Sequence, residues 1–521
     1  MASSISPQPH TPPNPQALQT LISALNNGQL ARAESLAKHL ITMHSNTFIL
    51  HHVLALALDG QQKFTEAVIS YQNALKLQGN RSESGTPDLQ FNLGIALTQL
   101  NRLDEAADAY QQAISLRPNF FEAYGNLGTI LQRQGKLESA IQSYQKGLSI
   151  NPQDARGHFN LGTALRDTGN LPAAIENYKK AITLFPNYTD AHNNLGETLR
   201  DFGDMDAAVK SYQAALALNS AHPNANYNMA EFLYLAKKYD EAIMYFERSQ
   251  LDDWQARRLY CLYKAEKFDA FKANRDALAV SMPNTLPFVA TLSTHFSINF
   301  NEPDPYNFCK NAFDFVYQKA IPELAEPNSA LLKALLHDIN NADIAERVQG
   351  MLINGKQSAG NLFKRPEPSF SALADLIKQE FINYKNQFSE ANCELILSFP
   401  TELEFTSSWY VKMRQGGHLS PHIHEIGWLS GAVYLAMPTP ADNPNEGAFE
   451  YGTHGDDYPI KSPQTQVSFA TASILPKVGD IVLFPSSLFH RTIPFNAGPF
   501  NANSERICIA FDLKPANNFT K

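Results

Sequence analysis

The tripeptide Asn-Leu-Gly stands at Asn92–Gly94, Asn126–Gly128, Asn160–Gly162 and Asn194–Gly196, and a looser copy, Asn228-Met229-Ala230, follows at the same step. Tyr110, Tyr144, Tyr178 and Tyr212 share this step of 34 residues, Phe246 continues it, and Pro118, Pro152 and Pro186 keep it as well. A fixed period of this length means a stack of like supersecondary units, none of which buries its apolar face alone. Each unit reads as two amphipathic helices with apolar residues at i, i+3 and i+4. Gly135, Gly169 or Gly203 punctuates the turn between them, and the proline stops the second helix. The small third residue of the tripeptide lets the first helix approach the second closely. The clearest units cover 86–250. Degenerate ones are expected at 15–47 and 48–85, and weaker helical pairs from Trp254 to Met282, so the array is expected over 15–282.

This pattern resembles the tetratricopeptide repeat. The resemblance implies an all-α superhelix with an inner groove that binds a protein or peptide. Asn92, Asn126, Asn160, Asn194 and Asn228 fall on the first helix of each unit, whose face lines the groove in that family. An amide offers both a donor and an acceptor, so it can pair with a peptide backbone whatever its sequence. The spacing is similar to the asparagine ladder of O-linked N-acetylglucosamine transferases. A solvated polar residue at each of these slots is the plainer alternative, and the sequence leaves both open.

At 521 residues the chain exceeds one core. Residues 283–355 carry no repeat and read as a helical connector, with helices within Pro305–Ile321 and Ser329–Asp338. A further helix is expected from Ser369 to Phe388, capped by Ser369 or Ser371. From Glu394 onward, short apolar or alternating runs separated by Gly, Pro and Asn replace the helical periods. Strands are expected at Leu395–Phe399, Thr406–Met413, Gly431–Met437, Gln466–Ala470, Asp480–Phe484 and Arg506–Leu513, as in an antiparallel β sandwich or barrel.

Within this region stands Pro421-His422-Ile423-His424-Glu425. On a strand, residues i and i+2 share a face, so His422 and His424 would aim together and Glu425 away. His490 ends the run from Asp480, and Arg506 follows it. The order H-x-H, distant His, then Arg resembles the iron- and 2-oxoglutarate-dependent oxygenases. More narrowly, it resembles a branch with a Ser-Gly-x-x-Tyr-Leu strand after H-x-H, here Ser430–Leu435. Phe484-Pro485-Ser486, His490-Arg491 and Gln357–Phe363 also fit that branch, and the resemblance covers about 356–516. It implies a double-stranded β-helix (jelly-roll, cupin-like) domain. It also implies a site in which His422, His424 and His490 hold Fe(II), and Arg506 and Tyr434 hold the far carboxylate of 2-oxoglutarate. Three imidazoles suit Fe(II) and leave positions for the cosubstrate and O₂. Arg, unlike Lys, grips a carboxylate at two points.

Most of that superfamily has Asp or Glu where this chain has His424, which makes His424 the ligand in question. Glu425 is the fallback, against strand geometry. His418 and His454 read as surface or neighbouring residues, and Arg491 as a partner in a structural salt bridge. Trp409 and Trp428 would pack in the barrel or at its mouth, with Trp428 a possible substrate contact. Gly416, Gly417 and Gly447 mark turns or close backbone approach.

The expected fold is therefore multidomain: a helical repeat superhelix, a connector, and a β-helix domain over 356–516. The net charge of −9, without a basic cluster, argues against nucleic acid. No apolar run is long enough for a membrane span. Cys261, Cys309, Cys393 and Cys508 lie far apart with no CxxC pair, as in a reducing compartment. Residues 1–14 read as a disordered tail rather than a signal peptide, and a cytoplasmic location follows by default. The activity implied is 2-oxoglutarate-dependent hydroxylation of a protein or peptide brought by the repeats. A small-molecule oxygenase using the repeats only for assembly, and a repeat scaffold with a silent barrel, are the two competing readings.

Overall fold

The computed structural model describes residues 12–78, 86–251, 253–281, 283–326, 328–347, 350–425, 427–440, 443–461, 468–496 and 505–515. Most of the expected N-terminal tail, residues 1–11, lies outside them. Asn14 caps the first helix, its side chain accepting from the Gln16 amide at 2.9 Å. The chain divides into two compact units, one ending at Phe232 and the other beginning at Leu233.

In the first unit, helices pair in sequence order. Pro15–Asn26 pairs with Leu30–Met43 and Phe48–Gly60 with Phe64–Gln78; Thr86–Gln99, Phe121–Arg133, Ala155–Asp167 and Thr189–Phe202 each pair with the helix that follows. The recurring tripeptide explains the pairing. Its leucines, Leu93, Leu127, Leu161 and Leu195, are buried. Its glycines lie against the tyrosine rings of the partner helices. A Cβ on Gly128 would stand 2.6 Å from the Tyr144 ring, and one on Gly196 would stand 2.5 Å from that of Tyr212. The Tyr144 and Tyr178 hydroxyls donate back to Thr129 and Thr163 of the first helices at 3.2 and 3.1 Å. Each unit is thus latched by one ring in one gap.

The second unit begins with helices Tyr239–Ser249, Trp254–Lys264, Phe268–Ser281 and Pro287–Phe300. Among the described residues, the strands that follow are β1 Tyr317–Ala320, β2 Glu346–Arg347, β3 Leu352–Ser358, β4 Leu403–Leu419, β5 Leu429–Ala436, β6 Phe449–Gly452, β7 Thr471–Ile474, β8 Asp480–Pro485, β9 Phe489–Thr492 and β10 Arg506–Pro515. They form a large antiparallel sheet, β1-β8-β5-β10-β4-β3-β2, and a small one, β7-β6-β9. Alternation along β10 sorts its side chains. Ile507, Ile509, Phe511 and Leu513 enter a core shared with Phe370, Leu373, Ile377 and Phe381 of helix Pro368–Gln387. Cys508 joins Val411, Met413, Tyr434, Val482 and Phe484 in a second core, which Phe449 of the small sheet closes.

Four local expectations are corrected. Leu395–Phe399 is not a strand: Glu394–Leu397 is a short helix, because the Glu394 and Leu395 amides bond to the Asn307 and Phe308 carbonyls and turn the chain. Pro305–Ile321 is not a helix: it holds a 3₁₀ turn, Ala312–Phe315, and then β1. The expected connector therefore adds a strand to the large sheet, Tyr317 pairing with Leu483 on the edge of β8. In Gln466–Ala470, the first two residues lie outside the described ones, and the observed strand begins at Thr471, where the backbone meets β6. Neither Ser369 nor Ser371 caps the long helix. Pro368 occupies its first position with φ already set, and Ser369 donates to Asp338 at 2.6 Å. Ser329 does cap its helix, Ala330–Asn341.

Gly196→Ala is expected to destabilise the first unit by about 1–3 kcal/mol through overpacking, although alanine is favoured over glycine in a helix by about 1 kcal/mol. Urea unfolding checks this. The added substitution Tyr212→Leu, which vacates the gap, should recover part of the loss.

Candidate metal centre

After β4 the chain leaves the large sheet, and His422 forms an isolated antiparallel bridge with His490 of β9. The bridge consists of two backbone hydrogen bonds, His422 N–H to His490 O at 3.1 Å and His490 N–H to His422 O at 2.9 Å. The H-x-H segment is therefore a bridge and loop, not the expected strand, yet its two rings still converge. Ring centroids are 4.3 Å apart for His422 and His490, 4.8 Å for His424 and His490, and 5.3 Å for His422 and His424. One nitrogen from each ring lies within 4.8 Å of the other two.

The opposite nitrogens are held. Nδ1 of His422 lies 2.8 Å from the Ser420 carbonyl oxygen, and Nδ1 of His490 lies 3.3 Å from that of Leu488. Nδ1 of His424 meets the Asp512 carboxylate and, at 3.1 Å, the Ser430 hydroxyl. A carbonyl oxygen only accepts, so Nδ1 of His422 and of His490 carries the proton and Nε2 of each keeps its lone pair. Burial, reinforced by the neighbouring His424, pushes His422 down to about 4. Burial and the two other imidazoles push His490 well below the usual histidine range. Neutral, tautomer-fixed imidazoles are what a divalent metal requires.

The three rings line a cavity of about 250 Å³ that also receives Tyr434, Trp409, Phe484, Arg506 and Asp512. Arg506 is buried, at 2% exposure. Its Nε donates to the Gly447 carbonyl at 3.0 Å, one Nη contacts the Cys508 sulfur at 3.6 Å, and the guanidinium lies 5.0 Å from the Tyr434 ring centre. Gly447 has φ +74°, as a close-approach position requires. No carboxylate among the described residues pairs with Arg506. A buried cation with donors to spare calls for an anionic ligand, and a carboxylate fits its fork. Burial pushes the Tyr434 hydroxyl up, opposed by the Arg506 charge, so it stays a neutral donor. The donor set therefore fits a divalent metal beside a dicarboxylate.

Asp512 escaped the reading of the sequence. It accepts from Ser430 at 2.8 Å and from Ser407 at 2.9 Å, and Ser430 is in turn 2.7 Å from Ser486. Burial alone would raise its carboxyl, but His424 and the two serines outweigh this and hold it below the usual range. The signal was present: Arg506, Cys508, Ala510 and Asp512 share one face of β10, so the strand that supplies Arg506 also supplies an acid.

Of the other candidates, Trp409 and Arg491 line the same cavity, and Trp428, Glu425, His418 and His454 do not. Trp428 is buried outside this cavity, against Phe308 and with its N–H on the Leu395 carbonyl. Trp409 does line the cavity, 5.7 Å from His424. Glu425 turns to Arg257 at 2.7 Å, and Arg491 pairs with Glu450 at 2.5 Å. His418 contacts the Gly416 carbonyl, and His454 contacts His295. In the first unit, Asn92, Asn126, Asn160 and Asn194 are half-buried. Asn228 differs: it is buried, donates to Asn193 and Glu197, and accepts from Arg200, so its amide is committed.

Comparison with known proteins finds matches to two kinds of family model. Residues 407–512 match the model of the family described as "Putative 2OG-Fe(II) oxygenase". Residues 94–135, 130–166 and 162–201 match a TPR repeat model, and 193–256 match a further tetratricopeptide repeat model. The chain thus joins tetratricopeptide repeats to a domain matched by the 2OG-Fe(II) oxygenase family. No curated protein matches it. Among solved structures, MamA from Desulfovibrio magneticus is 23% identical with a TM-score of 0.31, the match covering 33% of this chain and 96% of that one. YrrB, titled a TPR protein with an unusual peptide-binding site, is 21% identical with a TM-score of 0.32, covering 39% and 97%. A TPR repeat-containing protein from Cytophaga hutchinsonii is 16% identical with a TM-score of 0.39, covering 44% and 93%. Among the described residues, no helix is long and apolar enough to cross a membrane.

His422 and His490 bind fewer protons folded than unfolded. Their contribution to stability is thus present above the ordinary histidine value of 6.5 and lost as pH falls toward about 4. Metal-free protein should show a lower urea midpoint at about pH 4.5 than at about pH 7, and His490→Phe, which takes up no proton, should flatten that slope.

Proposed function

We propose that this chain is a 2-oxoglutarate- and Fe(II)-dependent dioxygenase that hydroxylates a protein or peptide recruited by its repeats. The observation that carries the reading is the convergence, in one cavity, of three imidazoles with a buried arginine that no carboxylate among the described residues partners. His422, His424 and His490 would hold Fe(II), while Arg506 and Tyr434 would grip the far carboxylate of 2-oxoglutarate. Bound there, iron with 2-oxoglutarate and O₂ would supply the oxidising chemistry, in which one oxygen atom enters the C–H bond of the substrate and the other enters succinate as carbon dioxide is released. The chain's own residues bind, orient and exclude water. Arg506 fixes the depth of the cosubstrate, Tyr434 donates beside it, and Phe449 and Phe484 keep the wall dry.

The cavity's about 250 Å³ favours a protein substrate over a large free one. Small-molecule sites usually run from about 300 to 1,000 Å³. With cosubstrate inside, the remaining room suits a single side chain. The repeats supply the rest of the recognition, with the half-buried amides of Asn92, Asn126, Asn160 and Asn194 contacting the peptide backbone and Asn228 bracing the repeat.

Anaerobic addition of Fe(II) and 2-oxoglutarate to the full chain should produce the visible metal-to-ligand charge-transfer band of a chelated cosubstrate. His490→Ala should abolish it. Arg506→Ala should raise the 2-oxoglutarate concentration needed by about 10–100-fold, the worth of a charge-assisted contact. A parent chain with neither band nor retained iron would sink the enzyme reading and leave a repeat scaffold.

The double substitution Asn126→Ala with Asn160→Ala separates the substrate classes. It should raise KM for a protein substrate while succinate formation without that substrate stays unchanged. An unchanged KM would return the asparagines to solvated polar positions.

A further inference from the structure

We infer that Asp512 is a positioning residue of this centre, whose carboxylate on Nδ1 of His424 supplies from behind the ring the negative charge that a carboxylate ligand would supply directly. The inference rests on the reading of His422, His424 and His490 as metal ligands.

The geometry separates His424 from its two companions. His422 and His490 direct Nδ1 at neutral backbone carbonyls, whereas His424 directs it at a carboxylate. Asp512 is the only acidic side chain among the described residues that line the cavity. Its place is set by strand register: on β10 it lies opposite Ser407 of β4 and opposite Ser430 of β5. Each flanking serine donates to one of its oxygens, and Ser486 supports Ser430 from behind. A carboxylate gripped on both sides, at 14% side-chain exposure, holds the His424 ring in one orientation.

Charge supplies the reason. Fe(II) sites of the open, three-ligand kind commonly pair two histidines with one carboxylate. Three neutral imidazoles leave the ion's charge whole, and Arg506 adds a further positive charge to the same cavity. The dianion 2-oxoglutarate offsets two of these charges, and Asp512 is placed to offset the third. A carboxylate on the far side of a ligating imidazole makes that ring a stronger donor, and removing such a partner typically costs about 10–100-fold in metal affinity.

The test is Co(II) binding by the full chain without oxygen, followed by visible absorption, in four proteins: parent, Asp512→Asn, His424→Asp and the double variant. In the parent background, Asp512→Asn keeps a side chain of the same shape and should weaken Co(II) binding about 10–100-fold. In the His424→Asp background the charge already sits on the ligand. There the same change should cost less than about threefold, or tighten binding by relieving repulsion between two carboxylates. A carboxylate that only braces the fold would cost the same in both backgrounds. Equal costs, or no cost in the parent, would overturn the inference while leaving the metal centre standing. A parent that binds no Co(II) overturns the metal reading itself, and this inference with it. If Asp512→Asn does not fold, Asp512→Ser, smaller and still polar, takes its place with the same expectations.

Discussion

Two backbone hydrogen bonds between His422 and His490 tie the small sheet to the segment that leaves the large one. Everything chemical in the second unit depends on that bridge. It sets two candidate ligands opposite each other before any side chain is chosen, because residues paired across an antiparallel bridge project together. His424 then needs only to turn its ring toward the pair, and Asp512 holds it there. Ligands placed by backbone pairing between strands lose little entropy when a metal binds, since their rotamers are already held from the Nδ1 side.

The alternation of β10 carries the same logic one level up. Its odd-numbered residues anchor the strand to a helix-backed core, and its even-numbered residues face the cavity. The packing of Ile507, Ile509, Phe511 and Leu513 thus sets the side from which Arg506 and Asp512 project, and the contacts with Gly447, Ser407 and Ser430 hold them there. The strand is central in its sheet, paired on both sides by β4 and β5. A slip of one residue would move both charges out of the cavity and four large apolar side chains into it, so the hydrophobic core enforces the register of the site.

How much of this was legible in the sequence follows from whether a feature is local. The repeats were readable because their signal is periodic, and the packing of Gly196 on Tyr212 shows why the period is kept. His422, His424, His490, Tyr434 and Arg506 were readable as a set through spacing and resemblance, although the H-x-H segment proved to be a loop. Asp512 was not, because a lone Asp near the end of an apolar strand looks like any other until the register with Ser407 and Ser430 is known. The misread segments share one cause. Leu395–Phe399 and Pro305–Ile321 have ambiguous apolar spacing, and partners remote in sequence, Asn307 and Phe308 for the first and β8 for the second, decide their conformation.

Arg506 shows what such a site costs the fold. A guanidinium at 2% exposure has lost most of its hydration and recovers part of it from the Gly447 carbonyl and the Tyr434 face. Replacing a buried charge with an apolar side chain often stabilises a protein, so its presence argues for a use outside folding. A dicarboxylate that binds the guanidinium removes the penalty in the folded state only. At a concentration of 100 times its Kd, such a ligand adds about 2.7 kcal/mol of stability. The same burial that strains Arg506 keeps His422 and His490 neutral. One dry cavity thus makes the imidazoles ready for a metal and the arginine ready for an anion, and neither condition survives if water is let in.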